Sequence, residues 1–189
     1  MIRKSSTDQG AVLIARAANY AARMHTSQRR KGIAQEPYLN HLAEVAMLVA
    51  EATDGNDPVL VAAAWLHDTL EDTEAEREEL EALFGRDVAA IVAEITDDKS
   101  LKKAERKRLQ IENAPQKSRQ ARLLKIADKT SNLRALAISP PAGWDAARRE
   151  EYVAWAEAVV AGCRGLNTEL EKTFDAAVVE ARIAISSSR

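Results

Sequence analysis

The spacing of the apolar residues is the feature that most constrains the fold of this chain. Apolar side chains recur at helical intervals along most of its length, and no segment alternates apolar and polar residues long enough to predict a strand. Glycine and proline, which interrupt helices, number only 7 and 5 among 189 residues. We therefore predict an all-α bundle of about eight to ten helices.

Residues at the helix ends predict where the first helices begin. The first is expected over about Thr7–His25, and Asn40 is expected to cap the second. Asp57 followed by Pro58 predicts the start of a third, because proline costs nothing at the first helical position.

The middle and end of the chain carry similar signals. Thr73 with Glu76 three residues later is the pattern of a capping box for a fourth helix, which Gly85 is placed to end. The remaining helices are predicted near Asp87–Ile95, Leu101–Asn113, Ser118–Ala137, Asp145–Cys163 and Thr168–Ile185, with a frayed tail over Ser186–Arg189.

Length and composition limit the classes of protein to consider. A chain of 189 residues suits one compact domain, which we expect to span 1–189 and to be ordered over about 7–185. Its 27 basic and 29 acidic side chains argue against a dedicated nucleic-acid binder. The N-terminal segment lacks the apolar run of a signal peptide, no apolar stretch approaches a membrane span, and Cys163 has no cysteine partner. We expect a cytoplasmic protein that binds a small ligand and no membrane.

His67 and Asp68 are the first candidates for chemistry. They follow the apolar run Ala62–Leu66, and burying them without partners would cost several kcal/mol. A metal ion resolves this conflict, because imidazole nitrogen and carboxylate oxygen together suit Mn, Fe, Co or Zn. An aspartate that orients a core histidine by a hydrogen bond explains the pair equally well.

Two further acids follow this pair. If the helix persists, Glu71 lies one turn beyond His67 and Asp72 one turn beyond Asp68, so that two groups could bind metal and two could transfer a proton or position water. The alternative is that Glu71 and Asp72 are solvated charges that favour the start of the next helix.

Two more candidates lie elsewhere. His41 stands at the start of a predicted helix, and Asp128 interrupts an apolar helical face. An ion pair with Lys125 or Lys129 would also explain Asp128. The spacing of these residues does not establish that they converge on His67 and Asp68.

Together these residues carry a resemblance to a known family. The pattern resembles the hydrolase domain of the RelA/SpoT family, an HD-domain group of metal phosphohydrolases, and above all its small single-domain branch typified by the metazoan SpoT homologue. The segments that carry the resemblance are Gln28–Lys31, Pro37–His41, His67–Thr73, Phe84–Gly85, Thr96–Lys99, Glu105–Gln110, Lys125–Lys129, Asn132–Leu133, Gly143–Trp144, Glu151–Tyr152 and Trp155–Ala156.

The resemblance implies an HD-domain helical bundle that removes the 3′-pyrophosphate from guanosine 3′,5′-bis(diphosphate) and its pentaphosphate form, (p)ppGpp, giving GDP or GTP. It implies that Glu71 and Asp72 activate the attacking water. It implies one Mn²⁺ per chain, with Zn, Fe and Co as alternatives. The implied metal ligands are His41, His67, Asp68 and Asp128; the implied substrate contacts are Arg30, Lys31, Lys103, Asn132, Arg148 and Tyr152; and His25 is implied to line the pocket without binding metal.

Departures from the family pattern leave other functions open. Leu42 stands where many members have proline. Thr130-Ser131 replaces a bulkier pair, and this second change could widen the pocket and alter the substrate preference. The alternatives are removal of the 2′-phosphate of NADPH, turnover of another nucleotide, a nucleotide sensor of low activity, and a helical scaffold in which the metal-competent residues are satisfied core side chains.

Overall fold

The computed structural model describes residues 6–187, and this part of the chain is entirely helical apart from isolated bridges and turns. It contains ten α-helices and one 3₁₀ helix, so the predicted all-α fold is confirmed. The helices are α1 (Ser6–Met24), α2 (Leu39–Ala52), α3 (Pro58–Leu66), α4 (Thr69–Asp72), α5 (Arg77–Phe84), α6 (Arg86–Ile95), α7 (Lys103–Asn113), the 3₁₀ helix Ala114–Gln116, α8 (Arg119–Ile138), α9 (Ala146–Ala161) and α10 (Thr168–Ser187).

The chain divides into two compact units. The first comprises residues up to Gln28 together with Tyr38–Asp97, and the second comprises Arg29–Pro37 together with residues from Asp98 onward. The expectation of a single domain over 1–189 stays a prediction. Within 6–187, no helix combines the length and the apolar character that a bilayer span requires.

The first unit is built around α3. This helix is apolar along its whole length, and it packs against α1, α2 and α6. Leu60, Leu66 and the three alanines Ala62–Ala64 are fully buried. A helix that is apolar on all sides belongs in a core, because only there is its whole surface removed from water. The end of α3 is therefore held rigidly by its neighbours.

The second unit is built around α8, which packs against α9 and α10, while α7 packs against α9. Leu123, Leu124, Ile126 and Leu133 of α8 are fully buried, as is Phe174 of α10. Asp128 and Asn132 lie on the same helix and are only partly buried. The buried apolar face of α8 thus fixes the position of these two polar residues.

Two of the predicted helix caps are confirmed. The Asp57 carboxylate accepts a hydrogen bond from the Leu60 N–H at 2.9 Å, and the Ser118 hydroxyl accepts one from the Ala121 N–H at 3.2 Å. Gly85 ends α5 as predicted, with a φ of 92° that a residue with a Cβ rarely adopts.

Other predicted boundaries are wrong. Asn40 does not cap α2, which begins at Leu39 after Tyr38 in a helical conformation. Thr73 does not cap α5, because that helix starts only at Arg77. The Thr73 hydroxyl donates to the Thr69 carbonyl at 2.7 Å at the end of α4 and accepts from the Ala75 N–H at 3.2 Å. A threonine hydroxyl can bond both to the turn before it and to the turn after it, and Thr73 does so outside α5.

The C-terminal helix also runs further than predicted. It extends to Ser187, and the Ser186 hydroxyl donates to the Arg182 carbonyl at 2.9 Å, so the predicted loss of helix at Ser186 is wrong. The last two residues of the predicted frayed tail, Ser188 and Arg189, lie outside the described residues.

Cys163 provides a test of the packing in the second unit. It is fully buried, and this burial raises the pKa of its thiol. We expect iodoacetamide to alkylate the native protein more than about tenfold more slowly than the unfolded protein, because only the accessible thiolate reacts. Mass spectrometry of samples with and without guanidinium chloride measures both rates on the same thiol. Equal rates would contradict the observed burial.

Candidate active site

The end of α3 presents two metal-competent side chains. The helix ends at Leu66, His67 and Asp68 form a turn, and α4 begins at Thr69. The Asp72 N–H donates to the Asp68 carbonyl at 2.8 Å, so the helical spacing expected between these residues is retained across the break. His67 is only 4% exposed. The apolar helix thus carries His67 into the interior of the first unit.

His41, His67 and Asp68 form a compact group, which we call the His/Asp cluster. The Asp68 Oδ2 atom lies 3.1 Å from His67 Nε2 and 3.6 Å from His41 Nε2. The two imidazole rings meet edge to face, with centroids 5.1 Å apart. His41 is 1% exposed. Two nitrogen donors and one carboxylate oxygen therefore face one another in a buried setting.

Tyr38 supports this group from the residue just before α2. Its hydroxyl donates a hydrogen bond to Asp68 Oδ2 at 2.5 Å, and its ring lies edge to face against His41 with centroids 5.4 Å apart. Hydrogen bonds to a coordinating carboxylate fix its orientation and affect metal affinity. Tyr38 therefore acts on both Asp68 and His41.

The hydrogen bond made by the other nitrogen of His67 tests whether the cluster suits a metal. His67 Nδ1 lies 2.8 Å from the carbonyl oxygen of Ala64, which can only accept, so Nδ1 carries the proton. In the neutral ring, Nε2 then directs its lone pair toward the Asp68 carboxylate. The lone pairs of His67 Nε2 and Asp68 Oδ2, which are 3.1 Å apart, repel each other unless a cation lies between the two atoms or the ring is protonated. The donor set and its outer hydrogen bond thus fit a divalent metal ion.

The charge state of Asp68 agrees with this interpretation. Burial by itself raises the pKa of Asp68, but the neighbouring His67 and His41 outweigh burial and hold the pKa well below its usual range. A carboxylate must be ionised to bind a metal. Asp68 is therefore in its ligand form at neutral pH.

The two acids of α4 differ in their surroundings. Glu71 is half-buried, whereas Asp72 is exposed at the end of the helix. The Gln28 amide nitrogen donates to Asp72 Oδ2 at 2.9 Å, and the Gln28 amide oxygen is hydrogen-bonded to His25 Nδ1. His25 is 2% exposed, and its ring stacks on Tyr38 with centroids 5.5 Å apart. His25 thus lies in the first unit beside Tyr38, a supporting residue of the His/Asp cluster.

In the second unit, Asp128 belongs to a hydrogen-bonded chain. The Asn132 amide donates to Asp128 Oδ1 at 2.6 Å, and Arg30 donates to the Asn132 oxygen at 3.2 Å. Lys129 forms an ion pair with Asp128 Oδ2 at 3.0 Å, as one of the sequence-based alternatives proposed. Each Asp128 oxygen accepts one of these bonds, and a carboxylate oxygen can accept more than one. The ion pair is therefore compatible with metal ligation.

The cations of the second unit are crowded together. The pKa of Lys103 is lowered, first by partial burial and then by repulsion from Arg148, Lys107 and Lys31. A cation whose pKa is lowered by other cations gains when an anion binds, because the anion offsets that repulsion. Lys31, Lys103 and Arg148 therefore lie within one electropositive region that suits phosphate groups.

Aromatic residues lie in a row in the same unit. The Tyr152 ring is 5.7 Å from Trp144 and 5.4 Å from Trp155 between centroids. Arg148 lies 4.7 Å over Trp144, and Lys129 lies 4.4 Å over Trp155. Cations over aromatic rings are attracted to the ring face. Tyr152 thus packs against two tryptophans, and the row also orients two basic side chains.

The loop that carries Arg30 and Lys31 is attached to the end of α8. The Ala34 N–H donates to the Ser139 hydroxyl at 3.0 Å, and the Ile33 N–H donates to the Pro140 carbonyl at 3.2 Å. A Cβ atom built on Gly32 would lie 2.3 Å from the Ser139 carbonyl oxygen. Only glycine therefore permits this close approach of two backbone segments.

Gly32→Ala tests whether this attachment positions the basic residues. The added methyl group must push the loop away from Ser139, so we expect substrate KM to rise about tenfold with little change in kcat. Steady-state kinetics measure both constants, and the thermal midpoint shows whether the fold is intact. Gly55→Asn is the comparison, because nothing lies within 4 Å of an added Cβ there and asparagine tolerates the φ of +69°. An unchanged KM in Gly32→Ala would contradict a positioning role for the loop.

Several contributing residues were missed at the sequence level. Tyr38 and Gln28 stand three residues from His41 and His25, respectively, and this spacing could have pointed to them. Tyr152 packs against Trp144 and Trp155, and Lys107 lies near Lys103. Nothing in the local sequence of these residues predicts the contacts. The predicted residues fall into groups within each unit: His25, His41, His67, Asp68, Glu71 and Asp72 in the first, and Arg30, Lys31, Lys103, Asp128, Asn132, Arg148 and Tyr152 in the second.

Comparisons with known proteins agree with these observations. The HD domain family matches residues 17–162. The chain is 48% identical over 175 residues to the Xenopus tropicalis guanosine-3′,5′-bis(diphosphate) 3′-pyrophosphohydrolase MESH1, covering 93% of this chain and 98% of that protein. It is also 48% identical to the human MESH1 protein, over 84% of this chain and 88% of that one.

A solved structure extends the likeness to the fold. It is described as a metazoan ortholog of SpoT that hydrolyses ppGpp and plays a role in starvation responses. It matches with a TM-score of 0.84 and 43% identity, over 95% of this chain and 98% of that one. The chain therefore belongs to the HD-domain family, in the MESH1 branch that these relatives represent.

Proposed function

We propose that this chain is a metal-dependent hydrolase that removes the 3′-pyrophosphate from guanosine 3′,5′-bis(diphosphate) and its pentaphosphate form, giving GDP or GTP and pyrophosphate. The observation that carries the proposal is the buried His/Asp cluster, in which the ionised Asp68 faces the Nε2 atoms of both histidines. The relatives named above support the substrate, because their names specify this reaction.

The proposed metal ligands are His41, His67, Asp68 and Asp128, and the proposed ion is one Mn²⁺ per chain. The tautomer of His67 supports this assignment. When bound, such an ion supplies a water of lowered pKa for attack and offsets negative charge on the phosphoryl oxygens.

The proposed roles of the other residues follow from their chemistry. Glu71 and Asp72 are proposed to activate the attacking water, one by accepting its proton and the other by holding the water in line. Lys103 and Arg148 hold the phosphates, supported by the crowding of cations around Lys103. The nucleotide contacts are proposed to come from Arg30, Lys31, Asn132 and Tyr152, with His25 beside the pocket.

The nearly balanced charge of the chain supports a small nucleotide, and not a nucleic-acid polymer, as its ligand. The proposed location is the cytoplasm, where the single cysteine would remain reduced.

The proposal is tested by measuring pyrophosphate release from guanosine tetraphosphate. We expect release with Mn²⁺, loss of release on chelation, and recovery when Mn²⁺ is restored. Calorimetric titration of the metal-free protein should saturate at one ion per chain, and two ions would contradict the proposed stoichiometry. NADPH is offered as a competing substrate. Phosphate release from NADPH without pyrophosphate release from the alarmone would overturn the proposed substrate, but the protein would still be a phosphohydrolase.

A further inference from the structure

Gln28 connects the buried His25 to Asp72, an exposed carboxylate that is proposed to act on the attacking water. It follows α1 by four residues, whereas Asp72 ends α4, 44 residues later in the sequence. The Gln28 amide nitrogen donates to Asp72 Oδ2 at 2.9 Å, and its amide oxygen is bonded to His25 Nδ1. All three residues lie in the first unit. They form one chain of hydrogen bonds, which we call the Gln28 relay.

The direction of the relay follows from the chemistry of its ends. An ionised carboxylate has no hydrogen to donate, so the Gln28 nitrogen must face Asp72. The Gln28 oxygen then faces His25, which must carry its proton on Nδ1. The charge on Asp72 thus determines the orientation of the Gln28 amide and, through it, the tautomer of His25.

One end of the relay is buried and the other is exposed. His25 is buried and stacked on Tyr38, and the backbone of Gln28 is bonded to both of these residues. Asp72, in contrast, is exposed at the last position of a helix of only four residues. An exposed carboxylate at a helix end samples several rotamers unless a fixed partner holds it.

We propose that Gln28 is a positioning residue, whose hydrogen bonds to His25 and Asp72 hold the Asp72 carboxylate in the rotamer that acts on the attacking water. This inference rests on the proposed function for the role of Asp72. The geometry of the relay is independent of the substrate. A catalytic group has to be held within about 0.5 Å of its productive position, and a single fixed donor can achieve this.

The first test separates turnover from binding. Gln28→Met keeps the length of the side chain but removes both hydrogen bonds, and we expect kcat to fall about 10- to 100-fold with KM changed less than about twofold. Gln28→Glu is nearly isosteric but cannot donate to Asp72, so it should lose as much. Gln116→Met, on an exposed surface of the second unit, is the matched control. Wild-type kcat in both Gln28 variants would overturn the proposal.

The second test uses the far end of the relay. His25→Asn retains an N–H donor close to the position of Nδ1, whereas His25→Phe retains the ring stacking on Tyr38 without the donor. We expect His25→Asn to keep most of kcat and His25→Phe to lose about as much as Gln28→Met. The reverse order would show that His25 acts by packing, and would overturn the relay.

The third test does not depend on catalysis. In ¹⁵N-histidine-labelled protein loaded with diamagnetic Zn²⁺, two-bond ¹⁵N–¹H correlation spectra distinguish the two tautomers, and His25→Phe assigns the signal. We expect His25 to carry its proton on Nδ1, and to shift toward the Nε2–H form in Gln28→Met. An Nε2–H tautomer in the wild type would overturn the relay. Absence of alarmone hydrolysis would instead count against the proposed function and leave this result unaffected.

Discussion

Asp68→Asn is expected to abolish metal-dependent turnover, lowering kcat/KM more than about 1,000-fold, and to weaken Mn²⁺ binding more than about 100-fold. The amide removes the negative charge that faces the two histidines. Its nitrogen can also donate a hydrogen bond to His67 Nε2, which lies 3.1 Å from Asp68 Oδ2, and so compete with the metal for that lone pair. The loss should therefore exceed that from deleting a supporting residue such as Tyr38.

Two measurements check this expectation. Elemental analysis after reconstitution reports the metal content, and pyrophosphate release reports the turnover. Asp54→Asn is a matched control, because Asp54 is exposed and has a φ of +49°, which asparagine tolerates as well as aspartate does. Full metal content in Asp68→Asn would remove Asp68 from the ligand set. Loss of metal in both variants would point to a general loss of folding.

Glu71→Gln is expected to lower kcat about 100- to 10,000-fold while leaving the bound metal in place, because removal of a general base costs this much and Glu71 is not among the proposed ligands. Glutamine has nearly the same shape as glutamate, so the packing of this half-buried side chain is preserved. KM should change little, since the proposed phosphate contacts of Lys103 and Arg148 are unaltered.

Steady-state kinetics with Mn²⁺ and a parallel metal analysis test this second expectation. Glu74→Gln is the comparison, since Glu74 is an exposed acid three residues further along the chain. A Glu71→Gln enzyme that turns over at the wild-type rate would assign the proton transfer to Asp72 alone. A Glu71→Gln enzyme that has lost its metal would make Glu71 a ligand.

Helices were predictable because their signals are local. The apolar period, the Asp57–Pro58 start and the Gly85 stop each depend on residues within one or two turns, so the sequence carries them directly. The errors arose where a side chain has two local partners. Thr73 bonds backward to Thr69 and forward to Ala75, and the start of α5 depends on how α4 and α5 pack, which the local sequence does not contain.

By itself, the sequence determined the all-α class of the protein and the identity of its metal-competent residues, because periodicity and costly buried polar groups can be recognised in a linear string. Only the tertiary structure decided which atoms meet. The Tyr38–Asp68 and Gln28–Asp72 hydrogen bonds join residues 30 and 44 positions apart, and the protonated nitrogen of His67 follows from its bond to Ala64. The two long-range contacts require a donor and an acceptor to lie within about 3 Å, and this is set by the packing of whole helices and not by the residues of any one segment.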